Sequence, residues 1–212
     1  MSDLSAAAGL WLAVVASGVY HGVNPGMGWP LAVSAALMER RATALPAALA
    51  ALSLGHLVAM VTVLLPFALL AVLAQRQTEI RVGSGLIVVA LGVFLLLNRR
   101  HPRFLARIPP SRLALWSFLV ALAHGAGMML APIYLGLCGF GGFGAGLRAS
   151  VALSIGVAAV HTAAMLVAGG IIAFGVYRWL GLRILPKIWL NLEVLWALSL
   201  MLVGAIGVAA AL

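Results

Sequence analysis

Four histidines, His21, His56, His124 and His161, sit inside long apolar stretches of this 212-residue chain, each followed within a few residues by methionine. Met27 follows His21, Met60 follows His56, Met128 and Met129 follow His124, and Met165 follows His161. Imidazole nitrogen binds Zn, Cu, Fe, Ni and Co, and thioether sulfur favours soft Cu(I), so the set reads as transition-metal ligands. His56 with Met60 and His161 with Met165 are each spaced i to i+4, which on a helix puts both side chains on one face. Taken singly, each residue has a plainer role: a membrane histidine hydrogen-bonds a neighbouring helix, and methionine fills gaps in apolar packing. Four histidines in related pairs carry the metal reading, while the methionines only tilt the choice of metal. A calcium or magnesium site needs several oxygen ligands, and the apolar stretches offer few: Asn24, Ser53, Ser154, Thr162, Asn191 and Glu193.

The histidines recur in order. "HGVNPGMGWP" (21–30) and "HGAGMMLAP" (124–132) both open His-Gly, place a glycine-methionine pair soon after and end at proline. Farther along, "GHLVAM" and "VHTAAM" share His-x-x-x-Met, and the two motif pairs are offset by 103 and 105 residues. Two motifs repeating at nearly one offset imply internal duplication. The repeats are expected over about 5–98 and 112–212, within a single transmembrane domain of residues 1–212.

Both His-Gly motifs should interrupt a helix. Pro25 lacks an N–H and disfavours helical geometry at Asn24, while Gly26 tolerates conformations that other residues avoid, so a split is expected near residues 22–26. Gly125, Gly127 and Pro132 predict a milder break in the second copy. Backbone groups freed inside a membrane must be buried in protein or line a wet cavity, which would make Asn24 and its neighbours oxygen donors along a substrate pathway. A proline kink filled by a neighbouring helix is the structural alternative.

The elements that must carry these residues follow from composition. With 65% hydrophobic and 8% charged residues, the chain reads as an all-α, polytopic membrane protein. Stretches long enough to cross a hydrocarbon core fall at about 8–38, 44–75, 82–98, 113–141, 149–177 and 188–211, giving six expected transmembrane helices, with the breaks in helices 1 and 4. Three helices per repeat would insert the two halves in opposite orientations, a plan in which substrate sites lie near mid-bilayer. The net charge of +9 is topological and does not signal nucleic acid. Arg40, Arg41, Arg99, Arg100, Arg103, Arg107, Arg112, Arg178, Arg183 and Lys187 fall on one side, leaving Arg76, Arg81 and Arg148 on the other. The positive-inside rule then puts the basic loops in the cytoplasm and both termini outside a bacterial-type inner membrane. His101 belongs to a basic loop, and Cys138, the one cysteine, reads as a small apolar residue. Glu193, near the start of the sixth stretch, is a candidate for proton coupling or for pairing with a basic neighbour.

"HGVNPGMGW" resembles the His-x-x-x-Pro-Gly motif of nickel/cobalt exporters, and the two His-Gly motifs together resemble the His-Cys-x-Gly-Met-Cys-Gly signature of the UreH-like, DsbD-type transmembrane family. Both families are placed in the LysE superfamily. The resemblance implies six helices in two inverted repeats, transport of a transition metal, and a binding role for His21, Pro25 and Gly26. Two features depart from it. The His-x-x-x-x-Asp-His signature of nickel/cobalt permeases is missing, and the cysteines of the UreH-like signature are Gly22 and Gly28 here, which removes thiolate chemistry.

The expectation is a secondary transporter, not an enzyme, moving nickel, cobalt or copper through a mid-membrane site. Its metal ligands would be His21, His56, His124, His161, Met27, Met60, Met129 and Met165. Two alternatives stand beside it: a membrane electron carrier whose histidines ligate haem, and an exporter of a small organic solute. The expected partners are the bilayer and the metal ion, with a homodimer as a permitted assembly.

Overall fold

A computed structural model describes residues 2–41, 43–73, 77–97, 108–140, 146–180, 192–209 and 212. The described residues are helical almost throughout and contain no strand. Among the described residues, eight α-helices follow in order: α1 (Ser2–Val23), α2 (Trp29–Glu39), α3 (Ala44–Leu73), α4 (Gln77–Leu97), α5 (Leu113–Ala123), α6 (Ala126–Phe140), α7 (Gly146–Gly175) and α8 (Leu192–Ala209). A π-helical turn, Val176–Leu180, continues α7. Among the basic residues used for topology, Arg76, Arg99, Arg100, Arg103, Arg107, Arg183 and Lys187 lie outside the described residues, as does His101.

Three stretches, Leu4–Val23, Ala44–Leu69 and Gly146–Trp179, are long and apolar enough to cross a membrane. A fourth forms if α5 and α6, bent by 65° at their junction, count as one span. Val82–Leu97 of α4 and Ala197–Ala209 of α8 are apolar but shorter. Large side chains such as Leu12, Leu54, Phe94, Leu119 and Ile171 lie exposed on the outside, the arrangement of a helical bundle whose surface meets lipid.

The first span differs from expectation. The stretch 8–38 was expected to be one crossing broken in its middle, but α1 starts earlier and is long enough alone, so the break lies at its end. The chain there forms a 3-10 turn, Pro25–Met27, before α2 begins. Asn24 caps the turn by accepting a hydrogen bond on Oδ1 from Gly26 N–H at 2.9 Å, and Gly28 closes it at φ +108°, a conformation glycine adopts without strain. Trp29 Nε1–H donates to the Val23 carbonyl at 3.2 Å, satisfying an acceptor at the end of α1. The second break falls at His124–Gly125, where Gly125 has φ +70°. It is shorter than the first, and the helices on its two sides meet at a bend of 65°. Pro132 and Gly127 do not mark it: both lie inside α6, Pro132 packed against Gly207 and Gly127 against Val63.

Helix pairing is dictated by small residues. A side chain added at Gly18 or Gly22 of α1 would run into the α7 backbone at the carbonyls of His161 and Met165, so these glycines let α1 and α7 touch main chain to main chain. Gly55 does the same for α3 against Ala114 of α5. Gly85 and Gly92 of α4 meet Gly204 and Ala197 of α8. Helices α3 and α7 also pack on each other.

A buried cluster of three histidines

The close approach of α1 and α7, with α3 packed on α7, brings three rings to one point. Ring centroids are 4.7 Å apart for His21 and His161, 5.4 Å for His56 and His161, and 5.6 Å for His21 and His56. One ring nitrogen from each lies within 4.8 Å of one from each of the others. All three residues are buried. They come from sequence positions up to 140 residues apart, so the cluster is a product of tertiary packing.

Their orientation is set by one residue that sequence reasoning passed over, Ser17. His21 Nδ1–H donates to the Ser17 carbonyl at 2.9 Å, one turn back along α1. Ser17 Oγ donates its single proton to the Val14 carbonyl at 2.8 Å, so it can only accept from His161 Nδ1–H, at 2.9 Å. Both rings are thereby held with the proton on Nδ1 and the lone pair on Nε2, the arrangement in which outer hydrogen bonds orient metal-binding imidazoles. Nε2 of His56 and Nε2 of His161 are buried with no hydrogen-bond partner, as is Thr162 Oγ1 on the next residue. Leaving a buried polar atom unsatisfied costs about 1–3 kcal/mol, so packing alone does not account for nitrogens left bare in this way. A role confined to interhelical hydrogen bonding, the plainer reading of a membrane histidine, does not fit the Nε2 atoms of His56 and His161.

His124 is not a member of this cluster. It caps the end of α5 at the second break, half-buried, and its Nδ1–H donates to the Val120 carbonyl at 2.9 Å. That is the same i−4 bond, at the same length, that His21 makes at the end of α1. Three of the four expected imidazoles thus meet within 4.8 Å, while His124, at the bend after Ala123, lies near enough to act electrostatically on His21.

The four methionines expected as ligands, Met27, Met60, Met129 and Met165, are all buried but fall in two places. Met60 and Met129 sit in the apolar core with Met27. Met27 and Met165 also line a small cavity with Gly22, Ser53 and Gly169, residues one to eight positions from the three histidines on the same elements. Its volume of about 20 Å³ is room for one water-sized occupant. Asn24 is buried nearby in sequence, and one lone pair of its side-chain oxygen is engaged by the turn. Pro25 and Gly26 form that turn and make no part of the cluster. Glu193 opens α8, and its side chain lies outside the described residues. Cys138 is a buried free thiol on α6.

The fold and the cluster define a helical, membrane-compatible protein with three buried, converging imidazoles. Comparison with protein-family models, with curated proteins and with solved structures returned no match.

Proposed function

We propose that this protein is a secondary transporter of a transition-metal cation, with His21, His56 and His161 as the central ligands. The observation that carries the reading is the convergence of three ring nitrogens within 4.8 Å, two of them with bare, buried Nε2 atoms. Such a donor set suits nickel, cobalt or copper. Three rings within 5.6 Å of one another favour an ion over a haem slot between two axial ligands.

Six crossings arranged as two inverted repeats accompany this reading. Its support is the pairing pattern: α1 packs on α7 and α5 on α3, a relation that exchanging the halves preserves, while α3 with α7 and α4 with α8 pair across the same exchange. His21 and His124, repeat-mates by motif, make the same i−4 back-bond at the ends of their helices. The resemblance to the LysE superfamily points the same way. The positive-inside distribution supports a bacterial-type inner membrane location with both termini outside. In this plan the two breaks are where the halves change shape as access alternates. The test is metal uptake by vesicles carrying the reconstituted protein. Replacing His21 and His124 together by alanine should abolish uptake; transport at the wild-type rate would refute the site.

A further inference from the structure

The transport reading leaves the ion's charge open, and the electrostatics of the cluster narrow it. We infer that the site takes a monovalent soft cation, Cu(I) or its analogue Ag(I), in preference to divalent nickel, cobalt or zinc. The inference rests on the transport reading above.

Every ligand atom of the cluster is neutral. A metal-binding imidazole offers a lone pair and no charge, and Ser17 holds two of the three rings in the tautomer that presents it. Among the described residues, the cluster of candidate ligands holds no carboxylate and no thiol. The whole chain has four acidic residues. Asp3 and Glu193 open the first turns of α1 and α8, Glu39 is ion-paired with Arg41 at 3.1 Å, and Glu79 is exposed at the start of α4.

Among the described residues, a cation entering this site therefore meets no ligand charge to offset its own in a low-dielectric interior. The desolvation cost of an ion rises with the square of its charge, so a divalent ion faces about four times the monovalent penalty for the same three neutral donors. Divalent ions recover that penalty at sites that supply carboxylates or thiolates, or that complete the shell with a bound water. Three converging imidazoles, by contrast, complete the low coordination number of Cu(I). Soft sulfur lies along the same helices: Met165 is one turn beyond His161 and, with Met27, lines the adjoining cavity. Thioethers bind Cu(I) and discriminate against hard divalent ions.

The test uses full-length protein in lipid nanodiscs. Cu(I) under reductant with a competing chelator, Ag(I), Ni(II), Co(II) and Zn(II) are each titrated alone. The expected result is one Cu(I) or Ag(I) per chain, bound at least about 100-fold more tightly than any divalent ion. The site is to be lost in His56→Ala and weakened in His161→Gln, which keeps a polar group of similar size. A divalent ion bound once per chain, as tightly as Cu(I) and dependent on the same histidines, would overturn the charge inference and leave the metal-site reading standing. Binding of none of the five would overturn both.

Discussion

One hydroxyl and one carbonyl, both of Ser17, hold the Nδ1–H groups of His161 and His21 at 2.9 Å. Ser17→Ala keeps the carbonyl and removes the hydroxyl, so His161 alone loses the partner that fixes its tautomer. Outer hydrogen bonds of this kind are worth roughly 10–100-fold in metal affinity, and Ser17→Ala should weaken binding by that factor. Ser17→Thr should restore it, because a threonine hydroxyl also bonds back to the preceding turn of its helix. Competition titrations of the three proteins decide the matter: equal affinity for wild type and Ser17→Ala would take Ser17 out of the site. The histidines could be picked out of the sequence because an ionisable ring in an apolar run is rare. Ser17 could not, because its decisive partner is 144 residues away and a lone serine in "VVASGVYH" looks like any small polar residue. The one local hint was its place four residues before His21.

Helix contacts rather than helix positions decide whether the rings meet. Gly22 lies against the carbonyl of Met165 and within reach of Gly169 on α7. Gly22→Leu would force the two helices apart at the level of His21 and His161, costing about 1–3 kcal/mol by overpacking and weakening metal binding with it. Gly9→Leu, on the same helix with nothing near its Cβ, is the control that should change neither. Thermal unfolding in detergent and a metal titration on both variants check this; an unaffected Gly22→Leu would show that the crossing has slack. The elements themselves were largely legible, since apolar length fixed α3 and α7 to within a few residues. The breaks were legible in part. Asn24-Pro25 located the first, but in the second copy Pro132 drew attention to the interior of α6, while the chain turns at Gly125, whose φ of +70° no side-chain-bearing residue adopts cheaply. Nothing in the sequence separates a glycine that turns the chain from one that admits a neighbour, such as Gly127 against Val63.

Across the whole molecule, His21 stands inside the cluster and its counterpart His124 outside it, although both make the same back-bond to their own helices. If access alternates by the two halves exchanging shape, His124 serves the opposite-facing state. His124→Ala should then leave equilibrium metal binding within about threefold of wild type and lower vesicle transport by about tenfold or more. Parallel loss of both would mean that His124 acts in the state described here. The main-chain contact between α1 and α7 has a bearing on how such an exchange proceeds. Two rods pressed together at Gly18 and Gly22 have no cushion of side chains between them through which to slip or roll, so the pair is obliged to tilt as one stiff lever. The pivot then falls to the 3-10 turn and Gly28, and the histidine pair that the lever carries travels with its spacing intact.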